Sequence, residues 1–211
     1  MDIGLAVITI IILIFSAILH EIAHGYVAER LGDPTARLMG RLTLNPKPHI
    51  DPIMSIFIPL LLILGGSPVI IGGAKPVPVD PFNLREPKKD MAIVSLAGPL
   101  TNFLIAFVVA LIYNFSSPFI TDPLVYWIIR QIVWLNLLLG VFNLVPIPPL
   151  DGSKILNLFL PEKWSKTYMS LGSFGIFIVF FLLMPFSPIP LGSWLFSTLL
   201  SLMNLLGMGF I

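Results

Sequence analysis

Residues 3–19 are almost entirely apolar, and they run without a break into His20-Glu21-Ile22-Ala23-His24. A helix through this stretch carries two imidazoles and a carboxylate into a segment of the length that crosses a bilayer, about 20 residues. Ionisable groups at that depth are costly, so their presence marks a functional site. The rest of the chain is of the same kind. Of its 211 residues, 56% are hydrophobic and 11% charged, whereas soluble domains carry about 25% charged residues. The expected fold class is therefore an all-α polytopic membrane protein, with the lipid bilayer as its surroundings. The longest polar stretch, 30–52, is too short for a core of its own. A net charge of +1 offers nothing to a polyanion, so no nucleic-acid partner is expected. The absence of cysteine excludes disulfides, thiolate metal sites and a cysteine nucleophile. Met1-Asp2 is no basic leader, so residues 3–19 read as a retained span rather than a cleaved signal.

Punctuation by glycine and proline divides the chain. A first helix over 3–31 ends at Gly32-Asp33-Pro34, since proline cannot continue a helix and restricts the residue before it. Residues 33–51 are polar and turn-rich, with a short strand expected at Arg41-Leu42-Thr43-Leu44. A second apolar run, 53–64, breaks at Gly65-Gly66-Ser67-Pro68 and resumes over 69–71. The Val/Pro alternation from Pro76 to Val79 favours extended backbone. Further spans are expected at 91–115 and 123–145, the latter broken by Pro146-Ile147-Pro148-Pro149 ahead of Leu150-Asp151-Gly152. Two more fit 167–186 and 191–210. The total is about five transmembrane helices plus a re-entrant helix and extended segment, or six spans if 53–71 crosses.

Charge placement favours the re-entrant form. If 53–71 dips in and returns, all twelve basic residues except Arg130 fall on one face. The linkers 116–122 and 187–190, which carry no Lys or Arg, then fall on the other. By the positive-inside rule the N-terminus is expected outside and the basic face in the cytoplasm.

His20 and His24 are four residues apart and share one helix face. Glu21 lies about 100° round from His20, badly placed as a third ligand but able to reach a water beside a metal. H-E-x-x-H on a helix is the pattern of zinc-dependent peptide hydrolysis, with the glutamate as general base. A catalytic zinc takes three protein ligands and keeps one position open, so a third ligand must come from elsewhere. His49, Asp51 and Asp151 are the candidates. Asp151 is best placed, because it follows the break in the fourth span on the face where the first helix ends. Asp151 also reads as an N-cap for a helix starting at Ser153, and His49 and Asp51 read as turn residues beside prolines. Asn143 can donate to a developing oxyanion. Asn102 can orient the substrate or a ligand. Asn136 shares a helix face with Asn143 and reads mainly as an interhelical bond, while Gly98 and Gly25 read as close-packing positions.

His20-Glu21-Ile22-Ala23-His24, Ala97-Gly98-Pro99 with Asn102, and the stretch from Asn143 through Pro146-Ile147-Pro148-Pro149-Leu150-Asp151-Gly152 together resemble the site-2 protease family of intramembrane zinc metalloproteases. The resemblance covers roughly residues 10–160. It implies that His20, His24 and Asp151 bind one Zn2+ per chain and that Glu21 is the base. It also implies a single membrane-embedded metalloprotease domain over 1–211, with a catalytic core at about 3–160 and two C-terminal spans at about 167–210. The segment Gly72 to Val79 resembles the re-entrant extended segment of compact prokaryotic members without PDZ or CBS domains. Such an edge, with Val77 and Val79 on it, can pair with an unwound peptide. The expected partner is a membrane-protein or peptide substrate, and the expected location a prokaryotic plasma membrane with the active site near its cytoplasmic face. The competing readings are a membrane metal transporter and a catalytically inactive family member.

Overall fold

The computed structural model describes residues 3–65, 72–172, 174–184 and 186–209. Helix α1, Ile3–Arg30, is the long apolar helix expected at the N-terminus. Its last turn closes through the amides of Leu31 and Gly32, which bond back to the carbonyls of Val27, Ala28 and Glu29. Gly32 then takes φ +116°, a value that side-chain-bearing residues rarely adopt. Asp33 is fully buried and fastens the start of the polar loop. Its carboxylate accepts from the Thr35 amide and hydroxyl, from the Asp80 amide at 2.7 Å and from Asn83 Nδ2 at 3.0 Å. The short helix α2, Thr35–Leu38, comes next. No strand forms at 41–44, a correction to the sequence reading. Arg41 is buried, and its guanidinium donates to the Lys75 carbonyl at 2.6 Å instead.

Asp51 caps a π-helical turn, Pro52–Phe57, accepting from the Ile53 and Met54 amides. The turn leads into α3, Ile58–Leu64. The expected break at 66–68 and apolar run 69–71 lie outside the described residues. Residues 72–80 form neither helix nor strand, in keeping with Pro76 and Pro78 among them. They are pinned at intervals: Gly73 N–H to the Met54 carbonyl at 3.2 Å, Ser55 Oγ to the Gly73 carbonyl at 2.7 Å, and Lys75 N–H to the His49 carbonyl at 2.7 Å.

Helix α4, Pro87–Ser116, contains Pro99 and ends in a 3-10 turn, Ser117–Phe119. Helix α5, Pro123–Asn143, starts from an Asp122 cap. α1, α4 and α5 pack together, and each is long and apolar enough to cross a membrane. Their interface is filled by Leu13 of α1, Ala106 and Ala110 of α4, and Val133 to Val141 of α5. Gly140 permits the closest approach there: a methyl group on it would come within 2.9 Å of the Phe103 ring.

The C-terminal part departs from expectation. α6, Asp151–Phe159, and α7, Glu162–Met169, precede α8, Phe174–Leu183, and α9, Leu191–Leu205. The span expected at 167–186 is divided, with α7 and α8 meeting at 76°. Gly172 takes a positive φ of 39° at the bend. At 1.5 Å per residue, α8 is about 15 Å long and α9 about 22 Å, both shorter than the hydrocarbon core of about 30 Å. α9 packs on α5 through Leu195, Leu199 and Met203, with Trp134 against Phe196.

Candidate metal centre

His20 and His24 lie one turn apart on the buried face of α1, their rings 4.6 Å apart and nearly perpendicular. Asp151, the first residue of α6, reaches both: its Oδ2 is 3.1 Å from His20 Nε2 and 3.2 Å from His24 Nε2. All three residues are buried. The capping role open to Asp151 does not occur, because the helix starts at Asp151 itself and Leu150 stands at the cap position. Its other oxygen, Oδ1, meets Lys154 Nζ at 3.3 Å, one turn along α6. Glu21 completes the group. Ligating atoms of His20, Glu21 and His24 lie within 4.8 Å of one another.

Each element is placed for a local reason. Pro99 removes a helix hydrogen bond, and this loosened turn of α4 faces both imidazoles. The Val94 carbonyl accepts from His24 Nδ1 at 2.7 Å. Gly98 sits directly against the rings, since a methyl group there would lie 2.5 Å from both Nε2 atoms. Asp151 is delivered by the turn 144–150 that ends α5, which includes a cis Pro148–Pro149 peptide. Gly152 allows that turn to close, because a Cβ on it would overlap the Leu144 carbonyl.

The donor set suits a cation. A carbonyl only accepts, so His24 donates from Nδ1 to Val94 and leaves Nε2 as the ring nitrogen that faces the Asp151 carboxylate. A neutral Nε2 and a carboxylate oxygen held this close need a positive charge between them, which a bound cation supplies or a proton on Nε2 replaces. Two imidazole nitrogens and a carboxylate oxygen are a set that zinc takes.

The group opens into a cavity of about 470 Å3, lined by His20, Glu21, His24, Asn143, Asp151 and Lys154, and also by Gly72, Gly73, Val77 and Val79. Glu21 Oε2 accepts the Val77 N–H at 2.7 Å. Asn143 lines the cavity and donates from Nδ2 to the Leu139 carbonyl of its own helix. Asn102 does not touch this space. It is fully buried, with Oδ1 2.6 Å from His20 Nδ1, so of the two expected roles, orienting the substrate or a ligand, the contact made is with His20. His49 and Asp51 are engaged elsewhere, His49 through Nε2 to the Thr43 carbonyl and Asp51 as the helix cap. Burial holds the His49 imidazole below the usual histidine range. Sequence reasoning missed Gly98 and Lys154 as neighbours of the site. The signals were the glycine before Pro99 and the i,i+3 spacing from Asp151.

The chain matches the model of peptidase family M50 over residues 8–132 and 121–186. The chain belongs to peptidase family M50. Similar proteins include "Putative zinc metalloprotease YwhC" of Bacillus subtilis (strain 168), 37% identical over 198 residues, 91% of this chain and 85% of that protein. "Putative zinc metalloprotease Rip2" of Mycobacterium tuberculosis (strain ATCC 25618 / H37Rv) is 31% identical over 207 residues, 97% and 76% of the two chains. "Zinc metalloprotease MJ0392" of Methanocaldococcus jannaschii is 30% identical over 155 residues, 73% of this chain and 34% of that one. No solved structure matches this chain. M50 is the site-2 protease family that the three motifs resemble, and the expected zinc metalloprotease stands, with Zn2+ as its cofactor. The apolar helices of this M50 peptidase make it a membrane protein.

Proposed function

We propose that this M50 member is an intramembrane endopeptidase that hydrolyses peptide bonds in or near the transmembrane segments of other membrane proteins. The observation that carries the reading is the convergence of His20, Glu21 and His24, on a helix able to cross the membrane, with Asp151 of α6 on one cavity. His20 lies ten residues before the end of α1, a depth of about 15 Å along the helix.

His20, His24 and Asp151 would hold one zinc ion. Bound zinc supplies a Lewis acid that polarises the scissile carbonyl and acidifies a water. Glu21 keeps Oε2 on the Val77 N–H, which leaves Oε1 to take the proton of the attacking water. The water oxygen bonds to the carbonyl carbon, the C–N bond breaks, and Glu21 returns the proton to the departing amide nitrogen. Asn143, on the cavity wall, donates to the carbonyl oxygen as its charge develops. Residues 72–79 supply an extended edge on which an unwound substrate segment lies, with Val77 and Val79 facing it.

The wider topology has α1, α4 and α5 as crossing helices, a re-entrant element between α1 and α4, the N-terminus outside and the site near the cytoplasmic face. Two contacts support re-entry: Gly73 bonds to Met54 and to Ser55, so the two ends of the intervening stretch lie side by side. A crossing segment would hold its ends about 30 Å apart. Reporter fusions at Gly73 are expected on the same face as fusions at Lys163, and opposite faces would reverse this arrangement.

The test of function is cleavage of a single-span substrate reconstituted with the enzyme in vesicles. Glu21→Gln is expected to keep zinc and lose cleavage. A Glu21→Gln variant that cleaves at the wild-type rate would refute the assignment of the base. Cysteines at Val77 and Val79 are expected to cross-link to bound substrate. A substrate that is cleaved but never couples to either would remove the edge from the mechanism.

A further inference from the structure

Asn102 of α4 and Asn136 of α5 are both fully buried, and neither lines the cavity. An amide at membrane depth is expensive unless its donors and acceptors are matched. Here the matching has a direction. Asn136 Nδ2 donates to the Ile132 carbonyl at 2.8 Å and to Ser16 Oγ at 2.9 Å. A main-chain carbonyl cannot donate, so the Asn136 amide can point only one way, with Oδ1 toward α4. That oxygen accepts from Asn102 Nδ2 at 2.9 Å, and the Ser16 carbonyl faces the same nitrogen at 3.5 Å. Asn102 is thereby fixed as well, with Oδ1 toward His20 Nδ1 at 2.6 Å. An amide oxygen only accepts, so His20 carries a proton on Nδ1, and Nε2 is the ring nitrogen that faces Asp151.

We propose that Asn102 is a positioning residue for the metal. A hydrogen-bond relay from the Ile132 and Ser16 carbonyls through Asn136 and Asn102 locks His20 in the Nδ1–H tautomer and aims Nε2 at the ion. The proposal rests on the zinc reading above and extends it to a second layer of residues on α4 and α5. His24 has only a main-chain carbonyl, that of Val94, in the equivalent position. His20 is therefore the ligand whose orientation depends on side chains. Outer partners of this kind are conveniently measured through metal affinity, since their loss weakens binding roughly 10- to 100-fold.

The experiment is zinc affinity by competition with a chromophoric chelator, on purified full-length protein, for wild type, His20→Ala, Asn102→Leu and Asn102→Asp. Asn102→Leu keeps the shape and removes the acceptor, and its affinity is expected to fall roughly 10- to 100-fold. Asn102→Asp restores an acceptor for Nδ1–H and is expected to recover most of that loss. In parallel, 15N spectra of zinc-loaded, histidine-labelled wild type are expected to show a protonated Nδ1 and a metal-bound Nε2 for the ring whose signals vanish in His20→Ala. This reading needs no variant of Asn102 to fold. Metal on His20 Nδ1, or wild-type affinity in folded Asn102→Leu, overturns the relay alone. Zinc bound equally well by His20→Ala overturns the zinc reading together with it.

Discussion

At the scale of single residues, Gly98 is the least conspicuous member of the site and among the least replaceable. The 2.5 Å that would separate its Cβ from both His Nε2 atoms is far inside van der Waals contact, and the obstacle lies where the donors converge. Gly98→Ala is expected to lower zinc affinity at least about tenfold, in the range seen when ligand orientation is lost. Zinc titration of the folded variant checks this, and an unchanged affinity would show that the rings move aside freely. Glu21 tests a different property, because it is expected to govern turnover and not zinc content. Much of this was legible from residue type and spacing. His20, Glu21 and His24 announce themselves by their H-E-x-x-H spacing in an apolar run, and Asp151 by following a proline break. The bonds of Asn102 were not legible, because the face that α4 turns toward α1 is set by packing among three helices. For the same reason His49 and Asp51 stayed open as ligands until their bonds to Thr43 and to the helix start were known.

Among elements, the turn 144–150 that carries Asp151 depends on the C-terminal helices for its position. Tyr168 of α7 donates to the Pro146 carbonyl at 2.8 Å, and Gly175 of α8 lies so close to the Pro148 carbonyl that no Cβ fits between them. Gly175→Val is therefore expected to displace the turn and reduce bound zinc, although residue 175 has no part in the chemistry. Metal analysis of the folded variant decides it, and full zinc occupancy would mean that the turn holds its own shape. At the other end of the site, Asp33 fastens 80–83 to the end of α1. Burial alone would raise its carboxyl pKa, but the hydrogen bonds from Thr35, Asn83 and the Asp80 and Thr35 amides outweigh it, and the net position is below the ordinary value. A depressed pKa in the fold gives stability that is present above the unfolded value of about 3.9 and is lost as pH falls through the folded one. Hydrogen exchange at the Asp80 amide should accelerate in that acid range in wild type. Asp33→Asn should show no such acid step, and an identical step in the variant would assign the transition to another group. These contacts link residues far apart in sequence, so periodicity could not reveal them. The bend at Gly172 did carry a signal, since Ser170, Gly172, Ser173 and Gly175 are turn-type residues at the start of the apolar run.

On the scale of the whole molecule, three long helices form a scaffold, and shorter segments bring chemistry to one cavity between them. α1 supplies two imidazoles and the Glu21 carboxylate, α4 the turn beside them, and the end of α5 the approach to Asp151. The segment 72–79 lines the same cavity and is bound to Glu21 through Val77. Val77→Pro removes that N–H while keeping the extended backbone that its neighbours Pro76 and Pro78 already impose. It is expected to lower kcat with little change in zinc content, and wild-type kcat would detach the segment from the base. The metal centre is assembled from separate helices, and the zinc content of purified wild type against Asp151→Ala measures that assembly directly. Close to one zinc per wild-type chain is expected, with a large loss in the folded variant. Equal zinc in both would contradict a centre shared between α1 and α6.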